Sequence, residues 1–363
     1  MTIREICSAF CISGTYVGCR ELSTGIINST FLVEFIRDNQ EKKYIVQRIN
    51  KKIFTKPEEV MENIVNVTQY VRQNIIKKEL STKRFVLRVF LSEEGKPFVI
   101  DEMGEYWRCY RYITNSETYD STNDLNVIEN AGQAFGRFQN CLDGFDASTL
   151  HITIPNFHNT IDRYDKLRTA VEKDEYGRVA SLWKELDSLF AFEEQATRLQ
   201  VYLNEGKLPL RVTHNDTKCN NVTFDKTTGE ALAVLDLDTV MPGAVAYDFG
   251  DAIRFIANKT LEDDPDLRKV GLDLDKYEAF TKGFVSELKD KLTDFEKETM
   301  NLGVFAMTVE LAVRFLTDYI DGDKYFKVKY PGHNLDRAHN QIAFAKDILE
   351  KQQSMDEIIK KYV

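Results

Sequence analysis

With 363 residues, 43% of them hydrophobic and 29% charged, the chain has enough material for two packed bodies, each with its own core. The formal charge of −10 (48 basic against 58 acidic residues) is spread along the sequence, which excludes the basic face that a nucleic-acid binder needs. Cys7, Cys11, Cys19, Cys109, Cys141 and Cys219 have no C-x-x-C spacing, the N-terminus carries no signal-peptide pattern, and no apolar run approaches bilayer length, so a cytoplasmic protein with reduced thiols is expected.

The first third reads as strand-rich. A short helix over 2–11 precedes strands at 15–22 and 26–37, joined by the small-residue turn Ser23-Thr24-Gly25. In the second strand Ile27, Phe31, Val33 and Phe35 fall on one face at period two, with Ser29 the polar exception. A third strand covers 43–50. Pro57 then opens a helix in which Val60, Ile64, Val67, Val71 and Ile75 recur at helical spacing. Further strands are expected at 84–91, 97–101 and 106–113.

From residue 115 the chain turns mainly helical, with long helices at 124–142, 182–204, 276–288 and 295–319. One strand-rich island, 210–238, interrupts them. Its strands 221–225 and 231–236 flank Lys226-Thr227-Thr228-Gly229, a hairpin signature. A boundary near 113–116 divides an N-terminal lobe, 1–113, from a C-terminal lobe, 114–363.

The island opens with His214-Asn215-Asp216-Thr217-Lys218-Cys219-Asn220-Asn221. Asp216 and Asn221 have the five-residue offset of a kinase catalytic loop, with a histidine two before the aspartate. Phosphoryl transfer needs a carboxylate that takes the proton of an attacking hydroxyl, and oxygen ligands that hold magnesium on the phosphates. Asp216 fits the first role; Asn221 and Asp236, which ends the hairpin, fit the second, with Asp238 behind them. Asp248-Phe249-Gly250 spells the protein-kinase metal motif, but Asp251-Ala252-Ile253-Arg254-Phe255 follows in a helical pattern. Asp248 is therefore read as a helix-start carboxylate that caps N–H groups and braces the loop. His214 reads as a loop anchor, and His151, His158, His333 and His339 as ordinary residues, because no ligand spacing links them.

These motifs resemble the aminoglycoside phosphotransferase and choline kinase superfamily, and more narrowly the N-acetylhexosamine 1-kinases. The narrower likeness rests on Gln47-Arg48-Ile49-Asn50 with Phe54 and Pro57, on Tyr106-Trp107-Arg108, on the loop 214–221, and on Asp236-Leu237-Asp238-Thr239-Val240-Met241-Pro242-Gly243 leading to Tyr247-Asp248-Phe249-Gly250-Asp251. The resemblance implies an α+β, bilobal protein-kinase-like fold, with nucleotide on the N-terminal lobe and acceptor on the C-terminal one. It also implies transfer of the ATP γ-phosphoryl group to the anomeric hydroxyl of N-acetylglucosamine or N-acetylgalactosamine, with Mg2+. The alternative is another small alcohol on the same fold: an aminoglycoside, choline or homoserine. The expected partner is a small sugar, without nucleic acid or membrane; the oligomeric state stays open, a monomer included.

Third-strand residues 44–49 offer no lysine for the phosphates. If Val46 and Arg48 face the cleft, Arg48 takes that place or is merely a surface charge; a register shifted by one gives it to Gln47. Glu58, Glu59 and Glu62 are the candidate helix partners. The hydroxyls of Ser23, Thr24, Ser29 and Thr30 stand in for an absent glycine-rich loop, and the adenine edge should meet backbone near Tyr112 and Ile113. In the apolar run 302–317 only Glu310 and Arg314 are charged, one helical turn apart. They form either a helix-stabilising pair, or a site in which Arg314, with Tyr325 as the resemblance implies, binds sugar oxygens. Phe255 lines the same cleft or belongs to the core.

Overall fold

In the computed structural model, which describes residues 1–22, 27–288 and 290–363, the chain divides into two compact units, each assembled from separate stretches. The first comprises Met1–Thr118, Gly144–Pro155 and Val222–Met241; the second comprises Tyr119–Asp143, Asn156–Asn221 and Pro242–Val363. The fold is α+β, an N-terminal antiparallel sheet followed by a mainly helical remainder.

The first unit is built on strands Thr15–Leu22, Ser29–Arg37, Gln40–Arg48, Tyr106–Arg111 and Val99–Ile100, in that spatial order and all antiparallel. Asp38 and Asn39 both take positive φ between the paired residues Arg37 and Gln40, the two-residue turn whose twist suits a hairpin. Val33, Phe35, Tyr44, Val46, Trp107 and Cys109 bury one sheet face against Ile6 and Cys7 of the helix Ile3–Ala9 and its C-cap residue Phe10. Thr2 and Glu5 close that helix with a reciprocal capping box. The helix Pro57–Lys77 buries Val60, Ile64, Val67, Val71 and Ile75, as their spacing predicts. Its Asn63, almost fully buried, donates to the His151 carbonyl at 2.9 Å and the Val240 carbonyl at 3.1 Å.

Three expectations change here. Residues 84–91 form no strand; Phe90 N–H donates to Cys109 O and Arg111 N–H to Arg88 O around a single bridge, Val89 to Tyr110. Their apolar side chains instead enter two different clusters, Phe90 in one and Phe85 and Leu87 in the other. Ile27 lies before the second strand and is exposed, so it is no part of that strand's apolar face. The hairpin Val222–Asp225 and Ala231–Val234 is not isolated, because Ser116–Glu117 adds a third strand. The turn Ser23-Thr24-Gly25 lies outside the described residues.

In the second unit, helices Leu125–Cys141 and Leu274–Leu288 pack closely, as do Val245–Ile256 and Asp294–Ile320. At the second crossing Gly250 faces the Gly303 backbone, and a Cβ on Gly303 would overlap the Ala246 carbonyl; only glycine lets these backbones meet. Helices Thr160–Lys173, Trp183–Asn204, His333–Glu350 and Gln352–Ile359 complete the unit. By length and hydropathy Asp294–Ile320 would suffice to cross a membrane, contrary to the sequence reading, yet 83% of its most apolar window is buried within the fold. Ala306 and Met307 of this helix pack with Leu199, Leu208 and Tyr247, the arrangement of a core helix.

Candidate active site

Within the second unit the loop 214–221 is held by side chains from the helix that follows it. Asp248 accepts from the backbone N–H of His214 at 2.9 Å and of Asn215 at 2.8 Å, and from Gln139 Nε2 at 2.6 Å. Thr217 donates its hydroxyl to the Asp248 carbonyl at 2.6 Å and its N–H to Asp251 at 3.1 Å. Asp248 thus caps N–H groups of the loop and not of its own helix, which starts at Ala244 without a side-chain cap. Burial raises the Asp248 carboxyl above its ordinary range despite these donors. His214, fully buried beside Phe135 and Phe138, accepts the Asp216 N–H on Nδ1 at 3.2 Å. Asn215 is forced to φ +64°, a conformation that asparagine tolerates better than most residues.

The result is a fixed, accessible carboxylate. Asp216, 27% exposed, lies 2.7 Å from Lys218 Nζ and 3.3 Å from Asn221 Nδ2. Asn221 Nδ2 also donates to the Asp216 carbonyl at 2.8 Å, which commits the amide nitrogen. Burial would lower the Lys218 ammonium, but Asp216 and then Asp251 outweigh it and hold the charge. Sequence reasoning missed Lys218; its signal was a lysine two positions after the aspartate inside the motif.

In the first unit, the side chains aligned at the Gln47–Arg108 register pair meet the turn after the hairpin. Arg108 Nε donates to Gln47 Oε1 at 3.0 Å, while its two terminal nitrogens grip the Asp238 carboxylate. Asn28 Nδ2 reaches the same carboxylate at 2.7 Å, and Gln47 Nε2 donates to Thr30 at 2.9 Å. Arg108 and Asp238 are 1% and 3% exposed. Asp236 precedes this ion pair in a left-handed conformation, φ +54°, and its charge reinforces that of Arg108. Sequence reasoning gave Arg108 no role; its only signal was its place in the motif Tyr106-Trp107-Arg108.

Of the two third-strand alternatives, Gln47 joins Arg108 and Asp238. Arg48 points to the other face, exposed, with Nη2 3.1 Å from Ser29 Oγ and its guanidinium over Trp107. Glu58, Glu59 and Glu62 bond to Tyr106, Lys56 and His151 respectively, so the helix carboxylates are engaged elsewhere. Tyr112 N–H donates to Lys43 O at 3.2 Å and the Ile113 carbonyl accepts from Ser116 at 2.6 Å. Ile113 packs with Leu232 and Ala233 beside the partly buried Phe85, Leu87 and Leu235. Ser23 and Thr24 lie outside the described residues; Ser29 and Thr30 hydroxyls serve Arg48 and Gln47.

The candidate acceptor residues lie in the second unit. Arg314 stands within 6 Å of the rings of Phe157, Tyr325 and Phe326, and 3.4 Å from the fully buried Glu310. Tyr325 is largely exposed, its N–H donated to Asp318 at 2.7 Å. Phe255 is half-buried on the helix Val245–Ile256. Among the described residues no cluster of three or more His, Cys, Asp or Glu could enclose a metal; a cation here would need phosphate oxygens and water to complete its shell, as magnesium commonly does.

Residues 18–280 match the model of the phosphotransferase enzyme family. Among solved structures the chain is similar to an aminoglycoside phosphotransferase from Alicyclobacillus acidocaldarius, with TM-score 0.64 and 13% identity over 99% of this chain and 97% of that one. A choline kinase from Cryptosporidium parvum gives 0.54 and 12% over 95% and 92%. A spectinomycin phosphotransferase in complex with ADP and spectinomycin gives 0.53 and 10% over 97% and 98%. At such identities the likeness is one of fold.

Proposed function

The chain belongs to the phosphotransferase enzyme family, and on that premise we propose that it is an ATP- and Mg2+-dependent kinase of an N-acetylhexosamine, phosphorylating the anomeric hydroxyl. The observation that carries the reading is the loop itself. Its one accessible carboxylate, on Asp216, is oriented by Lys218 and Asn221, and the loop backbone is bound by Asp248 and Asp251.

Asp216 takes the proton of the acceptor hydroxyl as that oxygen bonds to the γ-phosphorus; the bond from phosphorus to the β–γ bridging oxygen breaks, and ADP leaves. Lys218 aligns the Asp216 carboxylate before the acceptor arrives. Asn221, through its amide oxygen, and Asp236 are the hard oxygen donors that would hold magnesium, which when bound neutralises charge on the phosphates. Gln47 and Arg108 stabilise the Asp238 turn that follows Asp236. Ile113 and its apolar neighbours would receive the adenine, with backbone at Tyr112 and Ile113 at its edge.

For the acceptor, Arg314 pairs with the buried Glu310, and the Arg163 guanidinium is near enough for its charge to act on both, so this region is rich in hydrogen-bond donors and positive charge. That favours an oxygen-rich neutral sugar, bound by Arg314 and Tyr325 with Phe255 as an apolar wall, over choline or a polycationic aminoglycoside. A coupled ADP-release screen with N-acetylglucosamine, N-acetylgalactosamine, galactose, homoserine, choline and kanamycin tests it. Turnover confined to the amino sugars is expected; phosphorylation of choline or kanamycin with the amino sugars inert would overturn the assignment.

A further inference from the structure

His158 touches neither Asp216 nor Arg314 directly, yet it joins the parts of the protein that hold them. Its Nδ1 lies 3.2 Å from both carboxylate oxygens of Glu310, and its Nε2 lies 3.0 Å from the carbonyl oxygen of Asn215. An ionised carboxylate and a peptide carbonyl can only accept hydrogen bonds. Both ring nitrogens must then carry a proton, which makes the ring an imidazolium.

The surroundings fit that charge. Glu310 is completely buried and His158 nearly so, and neither can lose its partner cheaply. Burial works against the imidazolium, and Glu310 and then Asp251 outweigh it, holding His158 above its ordinary value. Burial likewise opposes the Glu310 anion, which His158, Arg314 and Arg163 keep ionised below its ordinary range. The remaining neighbours, Tyr247 at 5.5 Å and Phe157 at 4.5 Å between ring centres, are aromatic and bring no competing charge.

The peptide that His158 binds is a strained one. Asn215, at φ +64°, has its N–H fixed by Asp248 and its carbonyl fixed by His158, and Asp216 is the next residue. Glu310 meanwhile faces Arg314 one turn along the same helix. We propose that His158 is a charged positioning residue, an imidazolium that bridges Glu310 to the Asn215 carbonyl and so sets Asp216 and Arg314 from one shared carboxylate. The proposal rests on the reading of Asp216 as the proton acceptor.

Two readouts separate the two ideas. The protonation state of His158 is followed by long-range proton–nitrogen NMR of protein labelled at its five histidines, with His158→Gln assigning the signal. Both ring nitrogens should remain protonated at pH 7, where an ordinary histidine of pKa about 6.5 is mostly neutral. Glu310→Gln should bring the titration down by about one pH unit or more. A singly protonated ring at pH 7 in the wild type overturns the proposal, whatever the enzyme's activity.

Turnover of N-acetylglucosamine with ATP is then compared between the wild type and the folded His158→Gln and Glu310→Gln variants. Wild-type kcat should fall as pH rises through the His158 titration. Both variants should lose about tenfold or more in kcat at pH 7, a factor typical of a misplaced catalytic group, with KM for ATP unchanged and the alkaline fall abolished. An unchanged kcat and pH profile in His158→Gln refutes the positioning role. Persistent turnover in Asp216→Asn would instead refute the catalytic reading, leaving the NMR result to stand by itself.

Discussion

Replacing Asp248 by alanine would remove the acceptor of three hydrogen bonds at once. The donors are the N–H groups of His214 and Asn215 and the side-chain amide of Gln139, all on buried residues. A buried donor left unpaired costs about 1–3 kcal/mol. Gln139 can turn toward the space that the carboxylate leaves, so the two backbone donors set the figure, about 2–6 kcal/mol. The total stability of a domain is only about 5–15 kcal/mol, so the change is severe. Urea unfolding gives the global cost, and hydrogen exchange over residues 211–221 gives the local one. We expect a loss near 4 kcal/mol, the centre of that range, together with lost protection at His214 and Asn215 and a collapse in kcat. Asp248→Asn keeps one acceptor oxygen but turns an NH2 toward a donor, and should fall between wild type and alanine. An alanine variant within about 0.5 kcal/mol of wild type, the scatter of surface substitutions, would refute the claim that Asp248 anchors the loop.

Arg108→Met leaves the Asp238 carboxylate buried without its cation, and should cost about 3–5 kcal/mol in thermal or urea unfolding. The double variant Arg108→Met/Asp238→Leu should recover part of that loss; additive costs would contradict a coupled pair. Gly303→Ala should destabilise by about 1–3 kcal/mol, since its methyl meets the Ala246 backbone; a neutral effect would refute the close crossing. The His158–Glu310 pair should give stability a defined pH window. The histidine contribution, from a raised pKa, is complete below the ordinary 6.5 and lost as pH rises through the folded value. The Glu310 contribution, from a lowered pKa, is complete above the ordinary 4.5 and lost as pH falls through the folded value. Glu310→Gln should flatten both flanks of the melting-temperature profile; two unchanged flanks would contradict the pairing.

Elements whose signal is local were legible in the sequence. Pro57 and the helical recurrence from Val60 to Ile75 define a helix because each residue's burial depends on its own face. The strand Thr15–Leu22 and the hairpin around Gly229 were legible for the same reason. The segment 84–91 misled because alternating apolar residues can be buried without a ladder, here in two separate clusters. In the candidate site, the spacing of Asp216 and Asn221 was visible, since one loop carries both. The partnership of His158 with Glu310, 152 residues apart, could not be read from spacing, and left the histidine looking ordinary. Lys218 and Arg108 stood inside motifs already noticed; the partner of Lys218 lies in its own loop, whereas that of Arg108 is Asp238, 130 residues away.

The most direct test of Asp216 as the proton acceptor is single-turnover phosphoryl transfer from ATP to N-acetylglucosamine by Asp216→Asn, measured beside nucleotide binding. The rate should fall about 10²–10⁴-fold, the range for loss of a general base, with the nucleotide dissociation constant unchanged. Transfer at the wild-type rate would mean that the Asp216 carboxylate takes no proton, and the mechanism would fail.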